Sequence, residues 1–140
     1  MQILTVTIPL PPPILNLNMH IRHWSQRHRP MKAYKEAAWL ATLDAINRNP
    51  EFRRALPLGE IQIIPTMYFA RAARRDKDNW GEAFKAVQDG IERAGVVLDD
   101  STATTHPPEL KVDRQKPRVE LVIREIVIGS LACEPVEDLE

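Results

Sequence analysis

Trp80, Ala83, Phe84, Val87, Ile91 and Ala94 recur at the i, i+3, i+4, i+7, i+11 and i+14 positions of one helical face, and Gly95 follows where a C-terminal cap belongs. A chain carrying such a stripe has to cover it with a second apolar surface. One lies just upstream, where Glu60 to Phe69 sets Ile61, Ile63, Met67 and Phe69 on one side of an extended segment. Pro65 lacks a donor there and predicts an edge position or a bulge. Ile3 to Ile8 alternates with Leu4, Val6 and Ile8 on one face, and Arg118 to Ile128 alternates with Val119, Leu121 and Ile123 inward. Thr102 to Val112 adds a strand interrupted at Pro107-Pro108. A first helix is expected from about Lys32, with Tyr34, Ala37, Ala38, Leu40, Ala41, Ala45 and Ile46 as its broad apolar face and Asn47 to Pro50 as its stop. The order β-α-β-α-β-β predicts an α/β fold of the α+β sandwich type, a mixed sheet of about four strands with two helices on one face.

With 140 residues the chain suffices for one core, expected over 1–128 and followed by an acidic tail over 129–140. Cys133 is the only cysteine, so no intrachain disulfide forms; with no signal-like opening and no long apolar run, the expectation is a cytoplasmic protein without a membrane partner. Nineteen basic residues offset nineteen acidic ones, yet the distribution is uneven. Residues 1–50 hold six Lys/Arg against two Asp/Glu, and the last seven residues hold four acids. A basic N-terminal segment of that kind suits a phosphate backbone.

The chemistry is concentrated at the two ends of the striped helix. Arg74-Arg75-Asp76-Lys77-Asp78-Asn79 precedes it and Leu98-Asp99-Asp100-Ser101 follows it. Carboxylates at i and i+2 of an extended segment share a side roughly 6–7 Å apart, room for one or two hard cations. If the helix folds back on the preceding strand, Asp99 or Asp100 returns to the end where Asp76 and Asp78 sit. Mutual repulsion among converging acids is most simply relieved by a bound cation, and the set suits Mg²⁺-dependent phosphodiester hydrolysis. Arg71, Arg74, Arg75 and Lys77 stand beside the acids as phosphate-recruiting cations. Lys85, seven residues after Asp78, stands two turns along the same face, roughly 10 Å on. Arg22, Arg27 and Arg29, with His20, His23 and His28, add a nucleic-acid contact surface on which Trp24 can stack.

Each feature also has a plainer explanation. Asp78 or Asn79 before a helix is a favoured N-cap, Asn79-x-x-Glu82 fits a capping box, and Asp99-Asp100 fits a turn. The arginine run fits a solvated loop, and Trp24 fits a core position. Capping, however, requires one acid rather than pairs at both ends of one helix. A zinc site from the three histidines lacks regular spacing and supporting cysteine. Asp-x-Asp on a sheet also suits a metal-dependent nucleotidyl transferase, although no nucleotide-binding loop is present. A nucleic-acid-binding module without catalysis remains the non-enzymatic alternative.

At these residues the chain resembles the RusA family of Holliday junction resolvases, small endonucleases of bacteria and their phages. The resemblance is carried by Arg-Arg-Asp-Lys-Asp-Asn at 74–79, Lys85 with Asp89-Gly90, and Ala94-Gly95 followed by Leu98-Asp99-Asp100. The opening Ile8-Pro9-Leu10-Pro11-Pro12 with Asn16 and Asn18 adds to it. It implies a homodimeric, Mg²⁺-dependent enzyme that nicks a four-way DNA junction symmetrically, with Asp76, Asp78 and Asp100 as metal ligands. The family's helical lysine often stands four residues after the second aspartate, where this chain has Glu82. Counted back from Asp89, Lys85 takes that place, with three residues inserted at the helix start.

Overall fold

The computed structural model describes residues 1–127, with Asp100 by its backbone alone; the acidic tail over 129–140 lies outside the described residues. The elements run β1 (Ile3–Ile8), α1 (His28–Asn47), α2 (Pro50–Arg54), β2 (Ile61–Phe69), α3 (Gly81–Arg93), β3 (Ala103–Thr105), β4 (Glu109–Val112) and β5 (Arg118–Glu125), with short 3₁₀ turns between. The strands form one mixed sheet in the order β1-β5-β2-β3, with β4 also on β2. β5 is antiparallel to both β1 and β2, while β3 and β4 are parallel to β2, so β5 alone is reversed.

Side-chain alternation decides which face is covered. Leu4, Val6 and Ile8 pair with Ile123, Leu121 and Val119, which pair in turn with Ile63, Pro65 and Met67, and all nine are buried. They form one core with Tyr34, Ala38 and Ile46 of α1 and Ala83, Phe84, Val87 and Ile91 of α3. The helices therefore lie on one face, as the period-two and period-3.6 patterns require together. Each fully buried aliphatic side chain contributes about 1.5–3 kcal/mol.

Four local expectations are revised. Pro65 lies in a central strand, not at an edge. Ile63 and Phe69 direct their carbonyls to His106 and Asp113 on the β3/β4 side, so by alternation Pro65 turns its nitrogen that way too. On that side the neighbouring chain is broken between β3 and β4 at His106-Pro107-Pro108, and the missing donor falls at the break. The interrupted strand is therefore two strands. α1 begins at His28, a turn earlier than expected, and its buried row is Tyr34, Ala38, Thr42 and Ile46; Leu40 is 52% exposed. Thr42 enters that row because its hydroxyl donates to Ala38 O at 2.7 Å. Asn49 does more than stop α1: its Oδ1 accepts from Phe52 N at 3.1 Å, capping α2, which inserts the fully buried Phe52 into the core.

α1 and α3 run parallel. Gly90 of α3 lies against Lys35–Trp39 of α1, where an added Cβ would come 2.6 Å from Lys35 O. Toward their N-termini the helices leave a groove between His28, Lys32 and Lys35 on one side and Glu82, Lys85 and Asp89 on the other. Both N-termini, with their positive dipole ends, thus stand at the sheet end where β1 and β2 finish. Gly95, at φ +90°, caps α3 as the sequence pattern predicts, its N–H donating to Glu92 O at 2.9 Å.

Candidate active site at one end of the sheet

After Phe69 the chain leaves the sheet and reaches Asp76 in extended conformation, φ −100° and ψ 117°. A 3₁₀ turn over Lys77–Trp80 then leads into α3. Asp76 Oδ1 accepts from Asp78 N at 3.0 Å, so Asp76 is the residue that caps, not Asp78 or Asn79. Two carboxylates on one side of a strand are therefore not what forms. The short aspartate side chain satisfies a free N–H two residues on, and this bends the chain between the two acids. Asp76 and Asp78 line two different clefts, which share Lys77.

Asp76 shares its cleft with Asn16, Asn18, Arg74, Arg75 and Lys77. Asp78 shares the other with Lys77, Lys85, Gln88, Thr105 and His106. Asp76, Asp78, Arg74, Lys77 and Lys85 are exposed to solvent. Arg75 is fixed: its guanidinium lies 3.9 Å over the Phe69 ring and its Nη1 donates to Arg71 O at 2.9 Å. The side chain of Arg71 itself is exposed. The structure thus gathers Asp76, Asp78, Arg74, Arg75, Lys77 and Lys85 at one end of the molecule, beside two helix N-termini.

The backbone of Asp100 lies toward the other end of the sheet. α3 connects two parallel strands, so it must carry the chain back to the end of the sheet where β2 begins. The Asp99-Asp100 segment accordingly precedes β3, whose first residue Ala103 pairs with Ile61, the first residue of β2. The 13 residues of α3 amount to about 20 Å of separation. Folding back on the sheet therefore separates the acid pairs, contrary to the convergence drawn from spacing. At the far end Asp99 holds the turn, accepting from Ser101 N at 3.0 Å and, through its backbone oxygen, from Thr102 Oγ1 at 2.7 Å.

The N-terminal segment splits into internal and outward-facing roles. Arg27 Nε donates to Ile14 O at 2.8 Å, and its Nη2 donates to Asn16 O and Met19 O at 3.0 Å each. Its guanidinium is thus a clamp on the proline-rich loop. Leu17 N then donates to Asn79 O at 2.9 Å and ties that loop to the acid segment. Arg22 and Arg29 are exposed, and Trp24 is 77% exposed, which removes the core reading of that tryptophan.

Mg²⁺, which the resemblance implies, takes hard oxygen ligands and often only one or two protein carboxylates, the rest being water and phosphate oxygens. Asp78 and the second oxygen of Asp76 fit that demand. Among the described residues no group of three or more His, Cys, Asp or Glu side chains gathers around one point. Residues that spacing did not single out are His106 and Thr105, brought beside Asp78 by the β3/β4 break, with Thr105 Oγ1 bonded to Gln88 Oε1 at 2.6 Å. Their sequence signal is only the Pro-Pro pair after His106. No helix among the described residues is long and apolar enough to cross a membrane. No protein-family model and no curated protein matches the chain.

Proposed function

We propose that the protein is a Mg²⁺-dependent, structure-selective endodeoxyribonuclease of the RusA type, a homodimer that resolves four-way DNA junctions by paired nicks in recombination and repair. The observation that carries this reading is the sheet end where two clefts share Lys77, one lined by Asp76 with Arg74 and Arg75 and the other by Asp78 with Lys85. Asp76 and Asp78 would hold the cation, which when bound supplies Lewis-acid activation of water and neutralises phosphate charge. Lys85 and the Arg75 guanidinium, the latter held over Phe69, oppose the charge that develops on the scissile phosphate. Arg74 and Lys77 hold flanking phosphates, and the exposed Arg22, Arg29 and Trp24 extend the DNA surface away from the reacting bond.

Asp100 enters this reading through symmetry. One chain keeps it about a helix length from Asp76 and Asp78, so a site with three carboxylates takes Asp100 of the partner subunit. In a two-fold dimer the exchange is reciprocal and yields two sites, as paired nicks demand.

The test is gel-resolved cleavage of an end-labelled four-way junction beside linear duplex, with Mg²⁺ and with EDTA. Nicks that are symmetric, Mg²⁺-dependent and confined to the junction are expected. Mixing Asp78→Asn with Asp100→Asn protein then tests the shared site. In each mixed dimer, about half of a random mixture, one site carries both substitutions and the other is intact. Nicking should reappear, one strand per junction. Were the site contained in one chain, both sites of the mixed dimer would be dead and the mixture inactive.

A second reading, a junction- or nucleic-acid-binding module without catalysis, draws on the capping bonds of Asp76 and Asp99. It requires binding that is indifferent to Mg²⁺ and no nicks with any metal.

A further inference from the structure

Beside the Asp76 cleft lies a second one of about 600 Å³, and Asn16, Asn18 and Arg75 line both. The two differ in chemistry. Arg74, Asp76 and Lys77 make the first ionic, whereas Leu10, Pro12, Met19 and Trp80 give the second apolar walls. Arg75 is the partition between them, immobilised over Phe69 by its bond to Arg71 O.

Trp80 carries an independent signal. It is 6% exposed, and its Nε1 is the only buried side-chain polar atom among the described residues that lacks a hydrogen-bond partner. An indole N–H can only donate, so what it lacks is an acceptor. Buried donors are nearly always satisfied, and an orphan calls for an explanation. At the rim, Asn16 Oδ1 accepts from Asn18 N at 2.8 Å, which leaves the Asn16 amide nitrogen free. The Asn18 side-chain amide has no partner among the described residues, and it is exposed. An occupant of this cleft should therefore be flat and apolar on its faces, carry acceptors for N–H groups on its edge, and be joined to an anion that lies next door between Arg74 and Lys77.

We infer that this cleft receives one unpaired nucleobase of the DNA strand whose phosphate lies at Asp76 and Asp78, and that Trp80, Asn16 and Asn18 thereby select the sequence at the nick. The inference rests on the nuclease reading and adds to it a base-selecting site. A nucleobase meets each demand: a π-face for the apolar walls, a keto oxygen or ring nitrogen for the Trp80 N–H once the cover over it yields, and a covalent tether to the neighbouring phosphate. The base next to a branch point is the one least held by stacking and pairing, so extracting it costs least there.

The experiment uses the full chain on a four-way junction whose two nucleotides flanking the nick are varied through all four bases. Wild-type protein should cut the preferred base at least about tenfold faster than the poorest, the scale of one good base contact. Asn18→Ala, at an exposed position, and Trp80→Phe, which keeps an aromatic ring and removes the N–H, should bring the four rates to within about twofold of one another. Both should still bind the junction through its phosphate contacts, with affinity lowered by no more than about tenfold, the scale of one base contact. In a parallel arm without Mg²⁺, 5-iododeoxyuridine at the same nucleotides should crosslink under near-ultraviolet light to Trp80 or Met19. Equal wild-type rates for all bases, preferences retained in both variants, or crosslinks only elsewhere, on a junction that is still bound and cut, would overturn the base site and leave the nuclease reading intact. Failure of the wild-type protein to bind the junction at all would overturn both.

Discussion

Replacing Gly90 by Ala tests the helix pairing on which the geometry of the sheet end depends. An ideal Cβ at Gly90 would lie 2.6 Å from Lys35 O, 2.9 Å from Trp39 N and 3.1 Å from Ala38 Cβ. Two of these neighbours are backbone atoms in the middle of a 20-residue helix, so no rotamer change relieves the contact. Carbon and its neighbours pack best near 3.5–4.0 Å, and α1 must therefore retreat by roughly 1 Å. Overpacking of this kind costs about 1–3 kcal/mol. The better helix propensity of Ala returns about 0.5–1 kcal/mol. Because two of the contacts are with helix backbone, the cost falls in the upper half of that range and the net loss is about 1–2.5 kcal/mol, which for a chain of this size lowers Tm by roughly 3–10 °C. Thermal unfolding followed by circular dichroism, with a urea titration to check that the slope is unchanged, reads the effect. Gly81→Ala is the internal control, because Gly81 has helical angles of φ −55° and ψ −44° and its added Cβ meets nothing within 4 Å. It should stabilise by about 0.4–1 kcal/mol. If Gly90→Ala is as stable as the parent, the close approach of α1 to α3 is not as described, and the placing of both N-termini at one end loses its main support.

Asp76→Asn, Asp78→Asn and Asp100→Asn should each abolish cleavage and leave junction binding intact in a gel-shift assay; full activity in any one removes that residue from the site. Asp76→Asn should also keep its melting temperature, since Asn caps as well as Asp, which separates the capping role from the metal-holding one. Arg27→Ala should destabilise by about 1–3 kcal/mol in urea unfolding, because three loop carbonyls lose a charged donor; an unchanged midpoint would show that the loop does not need its clamp. The Arg118 guanidinium, followed by the Lys116 backbone N–H, holds the Asp113 carboxyl below its ordinary value of 3.8. A depressed folded-state pKa stabilises above the unfolded value and loses that contribution as pH falls through the folded one. Tm should therefore decline below about pH 4, and less steeply in Asp113→Asn; equal slopes would mean that the pair does not link folding to protonation.

The elements legible from sequence were those whose pattern is purely local. Leu4-Val6-Ile8 and Val119-Leu121-Ile123 alternate because one face is buried, and the Trp80-to-Ile91 stripe repeats because one side of α3 is. Where a contact partner distant in sequence decides, the pattern misleads. Pro65 reads as an edge residue, yet it occupies a central strand because the break at Pro107-Pro108 falls opposite it, some forty residues later. Leu40 looks like a core residue by composition and sits outside the row that faces β1 and α3. The fork of Arg27 reads as one more phosphate contact, and only the path of the Ile14–Met19 loop reveals the three carbonyls it holds.

The candidate site shows the same division more sharply. Spacing singled out the acids and the flanking cations as candidates, but it treated the helix between Asp78 and Asp100 as a hairpin arm that returns to its origin. A helix linking parallel strands cannot do that, because the chain must re-enter the sheet at the end where the previous strand began. The separation of about 20 Å that results is a liability for a single-chain site and an asset for a symmetric one. If a two-fold axis brought the Asp100 end of one subunit to the Asp76 end of the other, the same operation would complete a second site at the opposite end of the paired helices. The distance between the two sites of the proposed dimer would then be set by the length of α3.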